Sequence, residues 1–213
     1  MTKAAELAAL IGLGDHNLKI GDASAADSKI VFDGNAVDYH VGLDDSTDLL
    51  TIGKGSALGT TAHMTFNADG EILKPLQPSF SVNPASAQNN FAANGSNVEI
   101  VFGTENYDVG ANFASNTFTA PVTGKYLLTT NIYTLNLDSA ATYYVTTIST
   151  SNRTYLNLFD PDFGQDAVYW THVVSAVADM DANDTAKVLF SQSGGTAQTD
   201  IQTSSRFTGI LIG

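Results

Sequence analysis

The chain has 213 residues, 43% of them hydrophobic and 15% charged, with a formal charge of −13 and no cysteine. That is enough apolar material for a packed core, and its even spread excludes both a disordered chain and a helical membrane span. The acidic balance argues against nucleic acid and anionic membranes as partners and leaves cations, carbohydrates and other protein chains, while the missing cysteine removes disulfides and thiolate chemistry.

Leu7, Leu10 and Ile11 stand at helical spacing in an alanine-rich background, and Gly12 and Gly14 end the pattern. This predicts a short helix within residues 1–14, about two turns long and too short to persist alone in water. Its expected role is to anchor the chain to a larger assembly. Glu6 interrupts the apolar stretch and Lys3 is its lone basic residue, so the segment does not read as a secretion signal. The expectation is a protein that folds in the cytoplasm where it is made.

From residue 15 to 75 the period changes to two. Leu18 and Ile20, Ile30 and Phe32, Tyr39, Val41 and Leu43, Leu50 and Ile52, and Met64 and Phe66 alternate with other side chains. Turn sequences such as "FDGNA", "LDDSTD" and "NADGE" separate the runs at a spacing of roughly 10 to 14 residues. The pattern predicts short half-buried strands with too little apolar surface to fold as a monomer, and hence a β-rich stalk in which several chains intertwine and pool their apolar faces. Within it, "TIGKGSALGTT" has the glycines, lysine and hydroxyls of a phosphate-binding loop. Lys54 follows the wrong glycine for such a loop, and the sequence downstream is a strand rather than a helix, so nucleotide binding is excluded.

The two prolines of "LKPLQP", residues 73–78, make a stiff connector and place a domain boundary there. From residue 76 to 213 the strands lengthen. The clearest cover residues 125–135, 142–149, 153–159, 167–178, 185–191 and 204–213, rich in β-branched and aromatic residues and separated by Asn, Asp, Gly and Ser turns. The prediction is an all-β chain with a C-terminal antiparallel sandwich.

Residues 98–134 contain Val101-Phe102, then Asn106-Tyr107, then Phe118-Thr119-Ala120-Pro121 followed by Gly124 and Tyr126. The end of the chain has Ser205, Phe207, Gly209 and Leu211 at alternate positions, and residues 174–188 form two apolar runs around Asn183-Asp184. These motifs resemble the globular head of the first complement component, a jelly roll shared with tumour necrosis factor. The resemblance implies a jelly-roll head that assembles as a homotrimer and carries calcium near its axis. It also departs from that family, because no collagen-like stalk and no cysteine accompany the head. Residues 38–56 are similar to segments of fibre and tail proteins of tailed phages, which implies a virion appendage.

No nucleophile elbow, zinc-protease motif or cysteine–histidine pair is present, and His16, His40, His63 and His172 lack ligand spacing. A non-enzymatic protein is expected. In an antiparallel sandwich successive connections alternate between the two ends. Counted back from the last strand, loops 136–141, 159–167 and 192–203 fall together at the tip, away from where the chain enters. This gathers Asp138, Asp160, Asp162, Asp166 and Asp200 at one end, beside Phe159, Phe163, Gln165 and Gln198. Two readings fit this group: carboxylates open to water, or calcium held by Asp160, Asp162 and Asp166. Asp138, Phe159, Phe163, Gln165, Gln198 and Asp200 are the expected contacts to a host cell-surface glycan or protein. The resemblances together imply a phage tail or capsid fibre with a trimeric host-attachment head. The alternatives are a purely structural capsid decoration protein and a bacterial surface adhesin, the latter disfavoured without an export signal.

Overall fold

The computed structural model describes residues 19–213, so the anchor residues Leu7, Leu10 and Ile11 lie outside the described part. Among the described residues there is no helix, and the chain divides into two units between Leu76 and Gln77, inside the two-proline connector.

The first unit is a single antiparallel meander of β1 (Ser28–Phe32), β2 (Tyr39–Asp44), β3 (Leu49–Lys54), β4 (Ala62–Phe66) and β5 (Ile72–Leu73). The turns are where polar side chains cap the backbone: between β2 and β3 the Asp44 carboxylate accepts hydrogen bonds from Ser46 N and Oγ, and Asp48 takes a positive φ. Each strand finds its neighbours within one chain.

The second unit, residues 77–213, comprises β6 (Ser79–Asn83), β7 (Val98–Glu99), β8 (Thr104–Val109), β9 (Phe113–Ala114), β10 (Thr117–Thr119), β11 (Gly124–Leu137), β12 (Tyr143–Thr150), β13 (Thr154–Phe159), β14 (Ala167–Met180), β15 (Thr185–Ser193), β16 (Asp200–Ile201) and β17 (Arg206–Leu211). One sheet runs β14-β11-β17-β6-β8 with β16 beside β11. The other runs β13-β12-β15-β10-β9 with β7 beside β15. This is an antiparallel jelly-roll sandwich. Its spine is the long ladder of β11 and β14, paired from Gly124↔Met180 to Leu137↔Ala167. Alternation along β11 sends Tyr126, Leu128, Thr130, Ile132 and Thr134 inward, where the aliphatic and aromatic side chains meet Phe80, Phe118, Phe190 and Phe207 in one core.

The motifs of the sequence have structural causes here. Tyr126, near the start of β11, donates its hydroxyl hydrogen bond to Val122 O at 2.8 Å, tying the strand to the corner before it. Ala120 N donates to Asp184 O and Asn183 N to Ala120 O, so the proline corner is pinned to the turn after β14, with Asn183 in a left-handed conformation. A Cβ at Gly124 would lie 2.7 Å from Leu211 Cδ1, and one at Gly209 would lie 2.4 Å from the Phe80 ring. Both glycines are there for close approach.

His172 lies on the inward side of β14, 1% exposed, against the rings of Tyr144, Phe159 and Phe190. Neither ring nitrogen has a hydrogen-bond partner among the described residues, and burial pushes its pKa down to about 4. The unfolded chain therefore takes up a proton below pH 6.5 that the folded chain refuses until about pH 4. Stability falls as the pH drops through that window, by on the order of 3 kcal/mol for this group. Urea titrations at pH 7, 5.5 and 4 are expected to show this loss, and His172→Leu is expected to remove this part of the slope.

Candidate functional site

The two ends of the sandwich are built from different connections. At the end where the chain enters and leaves, Gln77 Nε2 donates to Leu211 O and Leu211 N to Pro78 O. Turns 150–152 and 180–184 lie there too. Asn152 Nδ2 donates to the Asp184 carboxylate at 2.7 Å, and Arg153 pairs with Asp179 at 2.9 Å.

Loops 136–141, 159–167 and 192–203 meet at the opposite end, as strand parity predicts. Ser139 N and Oγ donate to the Asp166 carboxylate at 3.0 and 2.9 Å, and Gln198 Nε2 donates to it at 2.9 Å. These bonds, the Ser139 backbone N–H foremost, hold the Asp166 pKa below the usual carboxylate value. Asp138 is 4% exposed and accepts from Ala140 N at 2.7 Å and from Thr196 N. Its backbone N–H reaches the Tyr144 hydroxyl at 2.9 Å, and that hydroxyl shares a hydrogen bond with Thr199 Oγ1. Burial of the Tyr144 phenol raises its pKa. Asp200 accepts from Asn90 N and Asn136 Nδ2 at 2.9 and 3.1 Å.

The sequence-predicted residues therefore separate by role. Asp138, Asp166, Gln198 and Asp200 stitch loops together, and Asp138 presents no open surface to a partner. Asp160, Asp162 and Gln165 are exposed on loop 159–167. Asp160, Asp162 and Asp166 do not assemble into a cation site within one chain: among the described residues no three His, Cys, Asp or Glu side chains are placed to hold a metal. Asp166 instead spends its oxygens on the neutral donors of Ser139 and Gln198.

The same loop carries aromatic rings. Phe159 stacks on Trp170 with centroids 4.6 Å apart, and Phe163 lies 5.3 Å from Trp170 and 5.4 Å from Phe159. Gly164 in a left-handed turn and the hydrogen bond from Phe163 N to Pro161 O fold the loop so that Phe163, 43% exposed, stands at its surface. Trp170 belongs to this group although its alternation with His172 assigns it to the core side of β14; its place next to loop 159–167 was the available clue.

A second surface feature is the outer face of the β14-β11-β17 sheet. Leu127, Thr129, Asn131 and Tyr133 of β11 stand beside Val177, Ser175, Val173 and Thr171 of β14, with Ile210 and Thr208 of β17 on the other side. Leu127, Val173, Val177 and Ile210 are exposed. Charge enters this three-strand face as Lys125 opposite Asp179 at one end and as Arg206 beside Asn131.

No protein-family model matches the chain, and no curated protein matches it. Among solved structures, the globular domain of zebrafish complement 1qA is similar, with 16% identity and a TM-score of 0.46 over 64% of this chain and 98% of that one. Murine APRIL at pH 8.5 is also similar, at 10% identity and a TM-score of 0.45 over 64% of this chain and 99% of that one.

Asp138→Ala is expected to cost about 1–3 kcal/mol, because two loops lose a buried acceptor and their N–H groups are left unpaired. Asp162→Ala is expected to stay within about 0.5 kcal/mol of wild type. Urea denaturation of both variants checks the contrast.

Proposed function

We propose that this chain is a non-enzymatic structural appendage protein of a tailed-phage particle, a short tail fibre or a capsid fibre. Its head works as a homotrimer and presents its tip to the host surface. The observation that carries the proposal is the pairing of an outer sheet face low in charge with an open tip. In a chain of formal charge −13, a broad face of Leu127, Val173, Val177, Ile210 and neutral hydroxyl and amide groups is suited to burial against copies of itself.

Packing through that face leaves the tip free. Phe163 over Trp170, with Asp160, Asp162 and Gln165 around it, offers a ring face for apolar contact and carboxylate and amide oxygens for hydroxyl groups. A host glycan suits that mixture, and the acidic charge disfavours strongly anionic sugars. Calcium, implied by the family resemblance, would have to take ligands from more than one copy, because among the described residues of one chain no three carboxylates gather. The N-terminal residues 1–14 are the proposed attachment to the particle, which assembles in the host cytoplasm.

Purified protein is expected to compete with virions for adsorption to host cells, and Phe163→Ala to lose at least about tenfold in that competition, the order expected when an aromatic contact is removed. Particles carrying a chain without residues 1–14 are expected to lack the appendage. Unchanged adsorption with Phe163→Ala, together with no competition by the wild-type protein, would favour a purely structural decoration role.

A further inference from the structure

The N-terminal meander is inside out for a lone chain. Cross-strand register puts Ile30, Val41, Ile52 and Met64 in one row, Leu43, Leu50, Phe66 and Ile72 in the next, and Phe32 and Tyr39 beyond them, all on one face. That face is open: Ile30, Phe32, Tyr39, Leu43, Leu50, Ile52 and Ile72 are exposed, and a concavity lined by Ile20, Ile30, Val41, Leu43 and Leu50 lies on it. The opposite face is mostly polar, yet its middle is buried, while Lys29, Val31 and Leu73 toward its edges stay exposed. His40, Gly42, Asp44, Thr51, Gly53 and Thr65 are covered there. Loop 55–61 folds over that side, with Gly55 O accepting from His40 Nδ1 at 2.8 Å and a Cβ on Gly59 falling 2.8 Å from the Asp44 carboxylate. Leu58 of this loop is the buried large hydrophobic residue among the described residues of the unit.

A sheet with its polar face covered and its apolar face in water lacks the main driving force for folding. Its cover must be present whenever the unit is folded, which calls for a permanent partner in fixed ratio. We infer that the cover is the same face of other copies: the Ile30–Val41–Ile52–Met64 rows of three chains pack against one another around a common axis. Charge supports this occupant. Within the cross-strand rows Lys54 is the charged residue, at the corner; Lys29 and Asp44 belong to the other face and Asp45 and Asp48 to the turn, and charge reaches the rim of the concavity as Lys19, Lys29 and Asp45. Copies of a chain this acidic repel one another through most of their surface and meet without penalty here. The inference rests on the homotrimer proposed above and names the stalk surface that joins it.

The chain has no cysteine, so a single introduced thiol reports one contact. Ile52→Cys and Val31→Cys are matched in exposure, 37% and 36%, on opposite faces of the sheet. Under mild oxidation of the full chain, Ile52→Cys is expected to give at least about tenfold more covalent dimer than Val31→Cys, because the interface holds the thiols at high effective concentration. Native mass spectrometry of the same samples reads the oligomer separately. Three chains without a cross-link at Ile52 would overturn the stalk interface and leave the head trimer standing. A single chain without a cross-link would overturn both. A cross-link that appears only after residues 1–18 are deleted would show that this segment of the same chain is the cover, and would also overturn the inference.

Discussion

Every sheet in this protein has two faces, and an apolar face must be covered. Inside the head the two sheets cover each other, and the result is one continuous core around Phe80, Tyr126, Phe190 and Phe207. The same solution is not open to the N-terminal sheet, which has no second sheet among the described residues of its unit. Nor does it reach the outer face of β14-β11-β17. Both uncovered faces are low in charge, while the acidic residues lie at turns, loops and margins. This distribution is what a chain requires if it must be acidic overall and still meet copies of itself. The covering requirement links the composition to the assembly, and the assembly to the proposed role.

The two ends of the sandwich divide structural from exposed chemistry. At the end where the chain enters, backbone hydrogen bonds tie the proline corner, Asn183 and the terminal strand, side chains of Tyr126, Gln77 and Asn152 add to them, and Gly124 allows close packing. At the tip, carboxylates supply the ties between loops. Asp138, Asp166 and Asp200 fix loops, and in doing so free Asp160, Asp162, Gln165 and Phe163 to face outward. A carboxylate that satisfies backbone N–H groups positions a loop; one left in water is available to a partner. His172 marks the same end from within, as a neutral imidazole walled in by rings.

Much of the head was legible in the sequence. Residues 125–135, 167–178 and 185–191 stand out as strands by their β-branched and aromatic side chains between turn residues, and the observed β11, β14 and β15 extend them by only a few residues. Long strands between two sheets record their burial in their own pattern. The short strands β7, β9 and β16 do not, because each is held by a neighbour's edge rather than by alternation. Strand parity located the tip loops, since an antiparallel path allows no other arrangement of ends. It did not reveal which aspartates turn inward, a choice made by backbone N–H groups of distant loops such as Thr196. In the N-terminal unit the period of two identified strands, but the covered side depends on loop 55–61 folding over polar residues, which no local pattern encodes.

The central claim is that the chain satisfies its uncovered sheet faces with copies of itself. Native mass spectrometry of the purified full-length protein, diluted from micromolar to nanomolar concentration, tests it most directly. The account predicts a species of three 22.4 kDa chains that persists on dilution. A folded single chain across the whole concentration range would contradict it.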